Sequence, residues 1–308
     1  MALIIALVFW LGAMPPAAQR VVTTPPPAPE GPTLRLGLVP ERDIFDLRKR
    51  HKALTGYLSA RLNRPVEVVT VSTYKGTLQD FAERKIDAAF LGSLVTVLAV
   101  DRQKAEVLVK PVRGDGRSTY HGVIFVKEGS PIQRVEDLGG RSIAMIRTTL
   151  AGNLFPMSRM LQAGVFDARQ PRILWVGTHD DAITETFSGR VDAGAAMDLR
   201  LDAYEAAHPD ARFRRLAESA EVPHDAVVVR GDLAPTVGQE LKDAMLGMDK
   251  DPEGAKALAV FGATRYAPCS IAEYGPVYDM IEGLGDRWDG LGIEGPPPKR
   301  PPPAPLKP

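Results

Sequence analysis

An internal repeat narrows the possible folds of this chain more than any other feature. Thr73-Tyr74 precede a helical segment, Lys85-Ile86-Asp87-Ala88 open an apolar run, and Gly92-Ser93 end it. Thr178-His179, Arg190-Val191-Asp192-Ala193 and Met197-Asp198 follow the same order. Tyr74 to Asp87 is 13 residues, as is His179 to Asp192; Asp87 to Ser93 is 6, as is Asp192 to Asp198. Two matched spacings with similar flanking residues predict two lobes of one topology.

Between and around the copies, short apolar runs alternate with helical periodicity. Leu34–Val39, Val66–Val71, Ile86–Leu91 and Val107–Val112 read as strands, with a helix over Phe45–Leu62 that buries Leu47, Leu54, Leu58 and Leu62. Gly122–Val126, Ser142–Ile146, Ile173–Val176 and Val191–Ala196 restart the pattern, with helices from Asn153 and over Asp180–Ser188. The expected fold class is α/β, two-lobed, each lobe a mostly parallel sheet flanked by helices, with a cleft between the lobes. Ligands of open α/β sheets sit beyond the carboxyl ends of the strands. Tyr74, Ser93, His179 and Asp198 fall at such ends and are expected to face one crevice. Asp87 and Asp192 begin their strands, at the opposite end, and read as turn or capping carboxylates.

The chain has 308 residues with 38 basic and 38 acidic side chains, so no general attraction to nucleic acid or anionic lipid is implied. Its one cysteine, Cys269, excludes an intrachain disulfide and a thiolate metal site, and reads as a small buried residue. Residues 1–20 read as a signal peptide or N-terminal anchor: Ala2 to Met14 is almost wholly apolar and Pro15-Pro16 end the run. A buried strand or helix is the alternative there. Residues 21–33 read as a Pro-rich linker, 34–115 plus 222–294 as lobe 1, 122–216 as lobe 2, and 295–308 as a disordered Pro-rich tail. The location implied is periplasmic or otherwise extracytoplasmic.

Taken together, Leu36-Gly37-Leu38-Val39-Pro40, Tyr74, Ile86-Asp87-Ala88-Ala89-Phe90-Leu91-Gly92, Tyr120, Asp137-Leu138-Gly139-Gly140-Arg141, Gly177-Thr178-His179-Asp180, Val191-Asp192-Ala193 and Pro223-His224-Asp225 form an ordered set. In that order the chain resembles the phosphate/phosphite/phosphonate-type substrate-binding proteins of ABC transporters, over about residues 34 to 285. The resemblance implies the type II periplasmic-binding fold, chain crossings near Gly114–Tyr120 and Ala217–Val222, and hinge closure on a small ligand. No bond is made or broken. Family members that hold phosphorus oxyanions carry Ser-Thr-Ser-Gly at a helix N-terminus; aligned on Pro156, this chain has Thr149-Leu150-Ala151-Gly152, with Thr148 just before. One hydroxyl is kept and two are lost, while the backbone amides remain. Asp198 and Asp225 match positions that carry carboxylates when the ligand bears an amine. The ligand-binding set implied is Tyr74, Ser93, Tyr120, Thr148, Thr149, Leu150, Ala151, Gly152, His179, Asp198 and Asp225. The expected ligand is a small anion or zwitterion other than inorganic phosphate.

Each assignment has a structural rival. His179 can also be read as a capping or core histidine, Tyr120 as a packed hinge residue, Asp198 and Asp225 as helix caps, and Arg147 as a solvated loop arginine. No Walker, dinucleotide or nucleophile-elbow motif is present, and His121, His208 and His224 lack metal-ligand spacing. The sequence therefore implies no cofactor, no metal and no catalysis. The expected partners are the small ligand and an ABC permease or a membrane sensor, with a monomeric state and no nucleic acid. A sensory binding protein, an enzyme on the same fold and a regulator's effector domain are the competing readings; the last lacks a helix-turn-helix before Leu34.

Overall fold

The computed structural model describes residues 31–38, 44–71, 74–147 and 149–302. The expected signal segment and nearly all of the linker lie outside the described residues. The first lobe begins with β1 (Leu34–Leu38), α1 (Ile44–Leu62), β2 (Val66–Thr70), α2 (Tyr74–Ala82), β3 (Ala88–Leu91), α3 (Ser93–Gln103) and β4 (Glu106–Arg113). The chain then crosses on β5 (Thr119–Tyr120). The second lobe follows as β6 (Gly122–Lys127), β7 (Ser142–Met145), α4 (Phe155–Gln162), α5 (Val165–Ala168), β8 (Arg172–Trp175), α6 (His179–Phe187), β9 (Ala193–Met197), α7 (Asp198–Ala207) and β10 (Phe213–Glu218). The chain returns on β11 (Val222–Pro223), adding β12 (Ala226–Val229), α8 (Pro235–Leu246), α9 (Pro252–Val260), β13 (Ala263–Pro268) and α10 (Gly275–Glu282).

Two sheets result, ordered β13-β4-β12-β3-β1-β2 and β10-β6-β9-β7-β8. The crossings β5 and β11 pair antiparallel with each other, Val222 opposite Tyr120. Each sheet is mixed rather than mostly parallel. Only the repeat-bearing strands run parallel, β2, β1 and β3 in one lobe and β8, β7 and β9 in the other. The strands flanking the crossings, β4 and β12 in one sheet and β6 and β10 in the other, pair antiparallel. The apolar runs do not reveal this, because a strand buried on both faces looks alike in either direction.

Local chemistry sets the element ends. Asn63 takes φ 47° after α1, a left-handed conformation that asparagine tolerates, and Pro65 stops continuation. Thr178 and Asp181 form a reciprocal capping box at the start of α6. Gly194 in β9 is required by close packing, since a Cβ there would lie 2.6 Å from Phe125 Cζ and 2.5 Å from Thr186 Oγ1.

One apolar cluster joins the lobes. It gathers Leu94 and Val95 of α3, Leu150 and Leu154, and Tyr274, Val277, Ile281, Trp288 and Leu291. The segment from Tyr274 onward, expected within lobe 1, thus packs against both lobes. Residues 295–302, expected as the start of a disordered tail, lie against the body. Arg102 donates to Pro296 O at 3.1 Å, Trp288 Nε1 to Gly295 O at 2.8 Å, and Arg300 to Gly275 O at 3.2 Å. Proline forbids helix and sheet, but its carbonyl still accepts hydrogen bonds, so an extended run can dock through its acceptors. Residues 303–308 lie outside the described residues.

Candidate ligand-binding site

The sequence repeat is also a structural one. Asp87 precedes β3 and accepts from Arg35 N at 2.9 Å; Asp192 precedes β9 and accepts from Ser142 N at 2.8 Å and Ser142 Oγ at 2.7 Å. Each aspartate also donates its own amide to the carbonyl of the residue it clamps. Both carboxylates therefore lock the start of a neighbouring parallel strand, at the end opposite to Ser93 and Asp198. Arg230 adds an ion pair to Asp87 at 3.1 Å, while the Ser142 bonds hold the Asp192 carboxyl below the usual range.

At the opposite strand ends the equivalences also hold. Tyr74 and His179 are the first residues of α2 and α6, and Ser93 and Asp198 are the first of α3 and α7. Thr148 lies outside the described residues, as does the side chain of Tyr74. Ser93 and Tyr120 are buried and tie the lobe to the crossing strands. Ser93 Oγ donates to Pro223 O at 2.7 Å and sits 3.0 Å from Tyr120 OH. A serine hydroxyl has one proton, so the tyrosine must donate the second bond. Burial raises the Tyr120 pKa further above its ordinary value, which keeps that donor protonated. The Tyr120 ring meets His224 edge-on, with centroids 5.7 Å apart.

Asp198 is 2 % exposed and sits at the first crossing. Its Oδ1 accepts from His121 N at 3.0 Å and its Oδ2 from Arg117 at 3.3 Å; its own amide donates to His121 O at 2.9 Å. Asp225 lies just past the second crossing, and a Cβ at Gly92 would be 3.5 Å from its Oδ1. The carboxyl therefore stands near the N-terminus of α3. Burial pushes its pKa up to about 6, and Arg113 nearby opposes that shift. The side chain is about one-third exposed.

His179 is held at the mouth of α6. Its Nδ1 is buried and has no hydrogen-bond partner. Burial, reinforced by Arg200, lowers its pKa to about 4, with Asp180 opposing. The imidazole is thus neutral at pH 7 and presents an unused polar atom. Arg200 is occupied by Asp180, with Nε 3.0 Å from Oδ1.

The loop expected to hold an anion differs from the sequence reading in detail. The helix does not start at Asn153: a wide turn over Leu150–Leu154 comes first, and α4 follows. Thr149 caps the turn, its Oγ1 accepting from Gly152 N at 3.0 Å and its carbonyl from Asn153 N at 3.1 Å. Those two amides are thereby turned inward. The amides of Leu150 and Ala151 head the turn, where no carbonyl of the same turn can reach them, and the Thr149 hydroxyl, although it accepts from Gly152, still carries one proton. Leu150, Ala151 and Gly152 are buried, and Gly152 is needed because a Cβ would lie 2.6 Å from Thr149 Oγ1 and 2.7 Å from Ile146 Cβ. Gly122 lets the loop approach the start of β6, a Cβ there lying 3.1 Å from Ala151 Cα. Arg147 turns aside and stacks on Trp175 at 4.3 Å.

Sequence reading gave no role to Arg113 and Arg117, took Asn153 only as a helix start, and weighed His121 only as a metal ligand. His224 stood in a quoted motif without a role. Arg117 and His121 flank the crossing strand, yet nothing local marks their partners, which lie 81 and 77 residues away.

A family model described as "ABC transporter, phosphonate, periplasmic substrate-binding protein" matches residues 36–274. The phosphonates-binding periplasmic protein of Escherichia coli is 22 % identical over 254 residues, covering 80 % of this chain and 75 % of that protein. A Xanthomonas citri protein solved with chloride ion superposes with a TM-score of 0.72 at 24 % identity, covering 84 % of this chain and 99 % of the other. PhnD1 of Prochlorococcus marinus, in complex with methylphosphonate, gives 0.69 at 21 %, covering 82 % and 98 %. These likenesses to solved structures show the fold. The family match spans most of the chain, its two sheets and both crossings, and the chain belongs to the periplasmic phosphonate substrate-binding proteins of ABC transporters.

Proposed function

We propose that this chain is the extracytoplasmic receptor for a small phosphonate that carries a cationic group, and that it delivers this ligand to the permease of an ABC importer. Asp225 is the observation that carries the reading. It is a carboxyl just past the second crossing and close to Gly92 at the head of α3; an ammonium group bound there would offset the partial burial that disfavours its charge. The anionic end would meet the Leu150 and Ala151 amides, the Thr149 hydroxyl and the neutral His179, with Tyr74 and Thr148 alongside. Ser93 and Tyr120 would support the crossings, Tyr120 keeping one acceptor lone pair for the ligand. Asp198 would contribute its charge from behind the His121 amide.

The relatives support the class of ligand: one is a phosphonates-binding protein, another a probable phosphite-binding protein 23 % identical over 276 residues. Leu150 and Ala151 argue against bare phosphate as the preferred ligand. Each lost hydrogen bond to a charged oxygen is worth about 1.5–3 kcal/mol, so two such losses weaken binding by two or more orders of magnitude. Family membership favours transport over the sensory and catalytic alternatives. On this reading residues 1–20 export or anchor the protein, and it works as a monomer without a cofactor.

Calorimetry with 2-aminoethylphosphonate, methylphosphonate and phosphate tests the proposal. The aminophosphonate should bind tightest in the parent and fall to the level of methylphosphonate in Asp225→Asn. Tight phosphate binding that Asp225→Asn leaves undiminished would overturn the reading.

A further inference from the structure

The loop that heads α4 is held from behind by the far end of the chain. Asn153 is fully buried, and its Nδ2 donates to Arg147 O and, at 3.1 Å, to Leu291 O. The first bond closes the loop on itself. The second ties it to a segment 138 residues further along. Those two carbonyls fix which end of the amide is nitrogen, and Oδ1 is left buried with no partner. Packing alone would be served better by an apolar residue, since an unmade buried hydrogen bond costs stability. Gly292 completes the junction: it takes φ +67°, and a Cβ there would lie 3.2 Å from Arg147 Nη1. The same segment is pinned to the first lobe, through Arg102 to Pro296 O and through Lys299 N to Asp101 of α3. Arg300 fastens its end to Asp279 and Gly275 of α10.

We propose that residues 285–300 form a strap that sets the shape of the ligand loop, with Asn153 as its positioning residue. The strap is anchored on α3 and α10 and grips a loop in the second lobe. It therefore passes a change in the relation of the lobes to the Leu150 and Ala151 amides through Leu291 and Asn153. Affinity for the ligand then depends on contacts made outside the crevice, by residues that touch no ligand. The inference rests on the reading of 149–152 as the anion-binding loop.

The test uses the full-length protein, calorimetry with 2-aminoethylphosphonate and methylphosphonate, and hydrogen exchange over residues 146–154. Asn153→Ser should weaken both ligands by about tenfold or more, the loss of one or two loop hydrogen bonds, and should speed exchange in the loop. The paired surface substitutions Arg102→Ala and Arg300→Ala, which remove the strap's two arginine pins and leave the loop sequence intact, should weaken binding several-fold in the same direction. This second variant decides the matter if Asn153→Ser does not fold. A parent that binds while the pin variant keeps parental affinity and parental loop exchange overturns the strap and leaves the proposed function standing. A parent that binds neither phosphonate overturns both.

Discussion

Replacing Asp198 in two ways separates what its hydrogen bonds do from what its charge does. The carboxylate is 2 % exposed, accepts the His121 amide at 3.0 Å, and faces an Arg117 whose side chain is 41 % exposed. Asp198→Ala strands a buried backbone N–H, which costs about 1–3 kcal/mol. The ion pair adds little, about 0–1 kcal/mol, because solvent screens the arginine. The sum is about 1–4 kcal/mol, and at about 2–4 °C per kcal/mol a domain of this size should lose several degrees of melting temperature. Asp198→Asn keeps an oxygen for the His121 amide and removes the charge with the exposed Arg117 contact, so its melting temperature should fall by no more than a few degrees. If the charge also serves an ammonium-bearing ligand, Asp198→Asn should weaken that ligand while sparing methylphosphonate. Differential scanning calorimetry and titration calorimetry on the same preparations read both effects. A melting temperature unchanged in Asp198→Ala would refute the clamp, and equal losses in Ala and Asn would show that the charge, not the hydrogen bond, holds the crossing.

Other outcomes follow from the titrating groups and the packing. Asp225 has a raised pKa, so in the free protein its contribution to stability is present at low pH and is lost as pH rises through about 6; an ammonium ligand favours the ionised form, so its affinity, followed by calorimetry, should fall as pH drops through that range. Asp192 has a lowered pKa, so its clamp on Ser142 stabilises the fold above the ordinary aspartate range and is lost on acidification below it; Asp192→Asn should flatten that part of the acid-unfolding curve. His179, with its pKa near 4, should show no imidazole titration by NMR between about pH 6 and 8 in the absence of ligand. Gly194→Ala forces a Cβ within 2.6 Å of Phe125 and should destabilise by about 1–3 kcal/mol in a denaturant titration.

Much of the frame was legible before any coordinates. Strand and helix periodicities are local properties, and they located β1 to β4 and β6 to β9 within a few residues. The repeat spacing separated the strand-starting Asp87 and Asp192 from the helix-starting Ser93 and Asp198, because a strand's length fixes which of its ends a residue occupies. The sequence could not show that β4, β12, β6 and β10 pair antiparallel, since burial on both faces erases the alternation that would betray direction. Nor could it show that the hydroxyls of Ser93 and Tyr120 bond within the protein, or that Thr149 turns the amides of Gly152 and Asn153 inward. Those facts depend on which acceptor lies within 3 Å or so of a given donor.

The two-lobed α/β design, the strand ends at which chemistry could gather, and the family were all readable along the chain. Each of these follows from patterns a few residues to some tens of residues long. Folding alone brings Asp198 onto His121, sets Asp225 beside the head of α3, ties Leu291 to Asn153 and lays the following proline-rich run on the body. The physical reason is distance along the chain. Asp198 and His121 are 77 residues apart and Asn153 and Leu291 are 138 apart. A hydrogen bond between such residues leaves no periodic trace in either segment and exists only once both lobes have packed.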